Sequence, residues 1–108
     1  MRGIKIEKRT VQGDEVYIRT MSGGENSAKV IELMQQAAGK PSVMLEIGAL
    51  LVNSCLCDAQ GALQCTDYED ARNNSSVSFL IDFAQEALKV SGLNDDAEAL
   101  VKNSEPVQ

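Results

Sequence analysis

Apolar and polar positions alternate with period two at the start of the chain and change to three- and four-residue steps after residue 22. Ile4 and Ile6 alternate with Lys5 and Glu7, and Val16 and Ile18 with Tyr17 and Arg19, which is the strand period. "QGD" at residues 12–14 supplies turn chemistry between the two runs, so residues 4–21 are expected to form a β-hairpin. An isolated hairpin is barely stable in water, and its apolar face is therefore expected to lie on helices.

The helical period begins near "SGGE" at residues 22–25, where Ser22 and Glu25 stand three apart as a capping box requires. The glycines between them also allow a start nearer Asn26. Ile31, Met34 and Ala38 line one face of this helix, with Val30, Leu33 and Ala37 beside it. Gly39 suits the position after its end, and Pro41 both stops it and suits the first turn of the next helix. Val43, Ile47, Leu50, Leu51, Ser54 and Cys55 then recur at helical steps, and Met44, Ala49, Val52 and Leu56 make the segment apolar on more than one side, as befits a central helix. Its last third, "LLVNSCLC", fits a helix or a buried strand equally, because short apolar runs do not separate the two by period. "NNSS" at residues 73–76 precedes a long amphipathic helix over about 76–90. Val77, Leu80, Ile81, Ala84, Ala87 and Leu88 form its expected core stripe. Phe79 and Phe83 form a second stripe, which is either core, the usual fate of Phe, or a candidate protein-contact face between copies or with a partner helix. Gly92 ends the helix with Leu93 as its hydrophobic contact, Asn94 caps a last short helix "DDAEALVKN", and "SEPVQ" is a loose tail. The expected fold is mostly α with a small N-terminal β-hairpin, an α+β arrangement in a single domain over 1–108: hairpin 4–21, helices 22–103, flexible tail 104–108.

Composition narrows the functional classes. A chain of 108 residues, 44 % hydrophobic and 24 % charged, suits one ordinary globular domain. It contains no apolar run of about 18 residues, and "MRGIKIEKRT" lacks the apolar centre of a signal peptide, so a cytoplasmic protein without a membrane span is expected. The net charge of −6 is uneven: residues 1–19 carry five Lys/Arg against three Asp/Glu, and residues 20–108 carry five against thirteen. A phosphate backbone would be repelled by most of this chain, which argues against nucleic acid except at the basic N-terminal segment. There is no His and no Trp, so the commonest acid–base group and metal ligand is missing. The four aromatics are too few for a base-stacking surface.

The stretch that most resembles chemistry is "CLCDAQGALQCTDYEDA", residues 55–71, which holds all three cysteines. A structural zinc site wants four ligands at paired spacings, and here a tight C-x-C and one further Cys stand without His. Asp58 and Glu69 occupy positions one and twelve of a calcium loop, but Gln60, Ala62 and Gln64 fill three, five and seven, and Leu63 stands where Gly is needed. A C-x-C at a helix C-terminus lacks the dipole that activates a thiol, so Cys55 and Cys57 read as small buried hydrophobes. Turn and cap chemistry accounts for the rest. "DAQG" at 58–61 is a turn, and "TDYE" at 66–69 is a capping box from Thr66 to Glu69, with acids in the first helical turn. The glycine pair at 23–24 has neither dinucleotide spacing nor a P-loop ending. No catalytic, cofactor-binding or metal-ligating residue is assigned, and a catalyst here would rest on Asp, Glu, Lys or Cys alone, so an enzyme is not expected.

The order of these signals resembles a known family. A hairpin ending in "VYIRTMSGGE", an apolar segment running into "VNSCLCDAQGALQCTDYEDA", and a helix ending in "EALKVSGL" before "NDDAEALVKN" are similar to the tail assembly chaperones of long-tailed, non-contractile (siphovirus-type) bacteriophages. The similarity covers about residues 16–103; Cys65 departs from it, standing where a larger apolar residue is usual. The resemblance implies a non-structural chaperone that binds the tape measure protein, keeps it soluble, helps recruit tail tube protein around it, and is absent from the mature virion. It further implies action in the host bacterial cytoplasm, self-association, no cofactor, and a longer product made by ribosomal frameshifting. An acidic, soluble partner with apolar stripes is physically compatible with holding a long helical rod. The alternative reading is a small acidic cytoplasmic adaptor or regulatory protein-binding domain.

Overall fold

The hairpin turns on two residues, and that turn sets everything that follows it. In the computed structural model, which describes residues 2–36 and 40–93, β1 (Ile6–Val11) and β2 (Asp14–Arg19) are joined by Gln12 and Gly13. Both turn residues have positive φ, 53° and 83°, the requirement of a two-residue loop whose twist matches the strands. The register pairs Val11 with Asp14, Glu7 with Ile18 and Ile6 with Arg19.

That register corrects the expected face of β1. Val11 and Ile18 are buried, so their side of the hairpin faces the core, and on β1 this side carries Glu7 and Arg9 rather than Ile6. Ile6 lies on the opposite face. The charged pair is accommodated by the last helix: Arg9 binds Glu7 at 2.7 Å and Glu86 at 3.5 Å. Gln12 adds a bond to Asp82 at 3.0 Å, pinning the turn to the same helix.

α1 (Glu25–Gln36) follows, with the Gly24 carbonyl accepting the first helical bond from Ala28 at 3.1 Å. The expected Ser22–Glu25 box is not formed, because the helix starts at Glu25 itself and the Ser22 hydroxyl accepts instead from the Gly24 N–H. The inward positions are Ser27 and Val30, flanked by half-buried Leu33 and Met34; Ile31 is turned out to 49 % exposure. Ala37, Ala38 and Gly39 lie outside the described residues.

α2 (Pro41–Cys55) is the central helix. Pro41 opens it after an extended Lys40, as the clash between a proline and the residue before it dictates. Met44, Ile47, Gly48, Ala49, Leu50, Leu51, Val52 and Cys55 are buried, so it is enclosed on several sides, packing on α1, α3 (Tyr68–Asn73) and α4 (Val77–Val90). The ambiguity of "LLVNSCLC" resolves into both answers: the helix runs to Cys55, then Leu56–Cys57 forms a short strand, β3. β3 pairs antiparallel with β2, giving a three-stranded sheet in the order β1-β2-β3 where the period alone predicts a hairpin.

α4 closes the core with Leu80, Phe83, Ala84, Ala87 and Leu88. Ser76 caps it by accepting from the Phe79 N–H at 3.1 Å, within the expected "NNSS" cluster. At its end Gly92 (φ 84°) donates to the Lys89 carbonyl and Leu93 to that of Leu88, the paired bonds of a glycine-terminated helix. Val77, expected in the core stripe, is 58 % exposed because it occupies the first turn, above the packed interface. Helices and an antiparallel sheet around one core make the fold α+β, with the N-terminal hairpin where it was expected. Among the described residues no helix is long and apolar enough to cross a membrane. The short helix expected after Asn94, and the tail, lie outside the described residues.

Candidate functional site

Residues 55–71 fold as punctuation around β3. The Asp58 carboxylate accepts from the Gln60 and Ala62 N–H groups, both at 2.9 Å, and the Gly61 N–H donates to the Asp58 carbonyl with Gly61 at φ 88°. Cys57 bridges Leu63 across this loop. The turn expected at "DAQG" is present, and its carboxylate is occupied by backbone donors. Arg19 donates to the Gly61 carbonyl at 3.2 Å, tying the loop to β2.

The three cysteines are free. Cys55 ends the central helix fully buried beside Ser54, and burial pushes its thiol up to about 11. Cys57 is also buried; its Sγ lies 3.5 Å from the Tyr17 carbonyl, to which it donates, and burial raises its pKa as well. Cys65 is half-buried, and its thiol is raised by burial and then by the Asp70 and Asp67 carboxylates. All three environments disfavour the thiolate, which is the reactive form. Among the described residues no group of three or more His, Cys, Asp or Glu side chains is placed to hold a metal ion.

The cap of α3 is one residue from its expected place. Asp67, not Thr66, is the N-cap, accepting from the Asp70 N–H at 2.8 Å. Asp70, not Glu69, reaches back: its Oδ2 accepts from the Thr66 N–H at 3.0 Å, and its Oδ1 from Asn74 at 2.7 Å. The Thr66 backbone donor, with Asn74, holds the Asp70 carboxyl below the usual carboxylate range. Thr66 and Asp67 are both good cap residues, and an acid stands three after each, so local spacing alone cannot choose between them.

The Phe79 and Phe83 face is also revised. The rings touch, centroids 5.7 Å apart and tilted by 30°, but Phe83 is fully buried and belongs to the core. Phe79 is half-buried and lines a shallow hollow with Gln12, Gln64, Cys65 and Asn74. The correcting signal was in the sequence: Phe83 stands three after Leu80 and four before Ala87, on the stripe the helix buries.

The surface feature that the periodicity missed lies at the other end of α4. Met21, Ala28, Ile31 and Leu93 line a mainly apolar hollow of about 370 Å³, together with Ser22, Gly23, Ser27 and Ser91. Its two walls are joined, because the Met21 N–H donates to Ser91 Oγ at 3.0 Å, and Leu93 is held by its bond to Leu88 at 2.8 Å. Of the apolar face expected from Ile31 and Met34, the helix half-buries Met34 and leaves Ile31 exposed, because Ser27 and Val30 are the positions it turns fully inward. Comparison of the chain with known protein families, with curated protein sequences and with solved structures returns no match.

Proposed function

We propose that this chain is a protein-binding assembly factor, and specifically a tail assembly chaperone that engages a phage tape measure protein, keeps it soluble and helps bring tail tube protein to it. The observation that carries the reading is the apolar hollow of Met21, Ala28, Ile31 and Leu93 on a chain of net charge −6. Single exposed apolar side chains are ordinary on any surface; a concave apolar lining is what a partner's side chain needs. The acidic surplus keeps such a surface soluble until it is covered. The order of hairpin, apolar segment, Asp-x-x-Gly turn, capped acidic helix start and Gly-Leu helix stop supports the family-level reading.

Co-expression with a tape measure protein of a long-tailed, non-contractile phage tests the reading. The expected result is that the tape measure protein moves from the insoluble to the soluble fraction and co-purifies with the chain. A tape measure protein that stays insoluble, with the chain recovered alone, overturns it.

A further inference from the structure

We propose that the open edge of β1 pairs antiparallel with β1 of a second copy of this chain, about a two-fold axis at Lys8; the inference stands apart from the function proposed above. β1 is an outer strand of the sheet, and among the described residues no strand pairs with its far side. Val11 and Asp14 flank a two-residue turn and so exchange both of their backbone bonds. The bonding alternates along the ladder, through Arg9–Val16 and Glu7–Ile18 to Lys5, whose carbonyl accepts from the Thr20 N–H at 2.9 Å. The N–H and C=O groups of Ile6, Lys8 and Thr10 therefore point away from β2, and all three residues are exposed. Donors and acceptors repeating at every second residue are met by the backbone of another extended strand.

Charge selects the register. The bonded pairs must join outward residues, so a two-fold pairing that engages most of the strand centres on Glu7, Lys8 or Arg9. Centred on Glu7 it sets two carboxylates face to face, and centred on Arg9 two guanidinium groups, both unfavourable. Centred on Lys8 it sets Glu7 of each copy opposite Arg9 of the other, at the closer, non-bonded spacing. Each copy already holds Arg9 on Glu7 at 2.7 Å, so the four groups form a square of alternating charge. They are reachable from outside, Glu7 41 % and Arg9 33 % exposed, and the second Glu7 oxygen, Oε1, has no hydrogen-bond partner among the described residues. The same register brings the two Lys8 residues opposite each other at the wider, bonded spacing. Lysine at a sheet edge ordinarily guards against pairing. Here its ammonium lies 2.9 Å from Glu15 on β2, so its charge is met within each copy. Ile6, 38 % exposed, falls opposite Thr10 of the other copy, a β-branched pair at each end of the contact.

Sedimentation equilibrium on the full chain, at concentrations up to about 1 mM, tests this. A short edge buries little area, so a weak, concentration-dependent dimer is expected. Lys8→Pro removes an outward N–H that the hairpin does not use, and is expected to give a monomer with an unchanged circular dichroism spectrum. Glu7→Arg and Arg9→Glu each set like charges across the axis and are expected to be monomeric alone. Mixed in equal amounts they are expected to form a heterodimer, because positions 7 and 9 of one then meet the opposite sign on the other. A wild-type chain that stays monomeric over this range, a Lys8→Pro chain that dimerises as the wild type does, or a mixture that stays monomeric overturns the proposal. So does loss of the dimer in Ile31→Asp, which assigns the contact to the apolar hollow.

Discussion

Gly48 on the central helix lies against the backbone of Leu80: a Cβ built on Gly48 would stand 2.6 Å from the Leu80 carbonyl oxygen and 2.9 Å from its carbonyl carbon. The two helices approach here as closely as they do because residue 48 has no side chain. In an open helix, replacing Gly by Ala gains roughly 0.5–1 kcal/mol. Here the obstacle is backbone, which cannot swing aside, and overpacking typically costs about 1–3 kcal/mol. Gly48→Ala is therefore expected to lower the urea midpoint, and an unchanged or raised midpoint would show that α4 shifts freely.

The two phenylalanines are expected to separate cleanly. Phe83→Ala empties a fully buried site, at a cost of about 3–5 kcal/mol, enough to unfold much of a marginal domain. Phe79→Ala removes a half-buried ring and is expected to cost roughly 1–2 kcal/mol with the helical signal retained. Denaturant melts followed by circular dichroism measure both. Equal losses would mean that Phe79 is as much a core residue as Phe83.

The cap of α3 makes a similar contrast. Asp67→Ala removes the side chain that receives the Asp70 N–H and is expected to destabilise by about 1 kcal/mol. Thr66→Ala leaves the Thr66 backbone bond to Asp70 intact and loses only a long hydroxyl contact of 3.4 Å, so a change within about 0.5 kcal/mol is expected. The reverse order of midpoints would restore Thr66 as the cap.

Thiol chemistry reports the burial of the C-x-C pair. With an aromatic disulfide reagent at mildly alkaline pH, Cys65 is expected to react in the folded protein, and Cys55 and Cys57 only after unfolding. Three equally fast thiols would contradict the packing described.

The same burial gives stability a pH dependence of definite sign. The Cys55 thiol is raised in the fold from 9.0 to about 11, so its contribution is fully present below 9.0 and is lost as pH rises toward about 11. The gap corresponds to roughly 3 kcal/mol at most. Cys57 shifts in the same direction and adds to the loss. Asp70 acts at the acid end with the opposite sign: its depressed carboxyl contributes above the ordinary carboxylate range, and that contribution falls away as acid protonates it. Denaturant midpoints across the alkaline range are expected to decline for the wild type and less steeply for Cys55→Ala.

What the sequence determined by itself is the local chemistry. The Gln12–Gly13 turn, the Asp58–Gly61 turn, the Ser76 cap and the Gly92–Leu93 stop each close through bonds spanning six residues or fewer, so their partners are written next to them. The class of the fold followed from the same source, because period two and period three-to-four are properties of short windows. Tertiary packing decided the choices for which local chemistry offers two answers. With the register set by the Gln12–Gly13 turn, packing against the helices chose the Val11 and Ile18 face of the hairpin and left Ile6 on the other. On α1 and α4, where apolar positions spread beyond one stripe, contact with α2 buried Val30 and Phe83 and left Ile31 and Val77 in solvent. Leu56–Cys57 became a strand because β2 offered an open edge where the helix ended. The close passage of Gly48 over Leu80 arose in the same way: a glycine inside a helix marks a weak point in sequence and becomes a contact only when another backbone, 32 positions further along, arrives beside it.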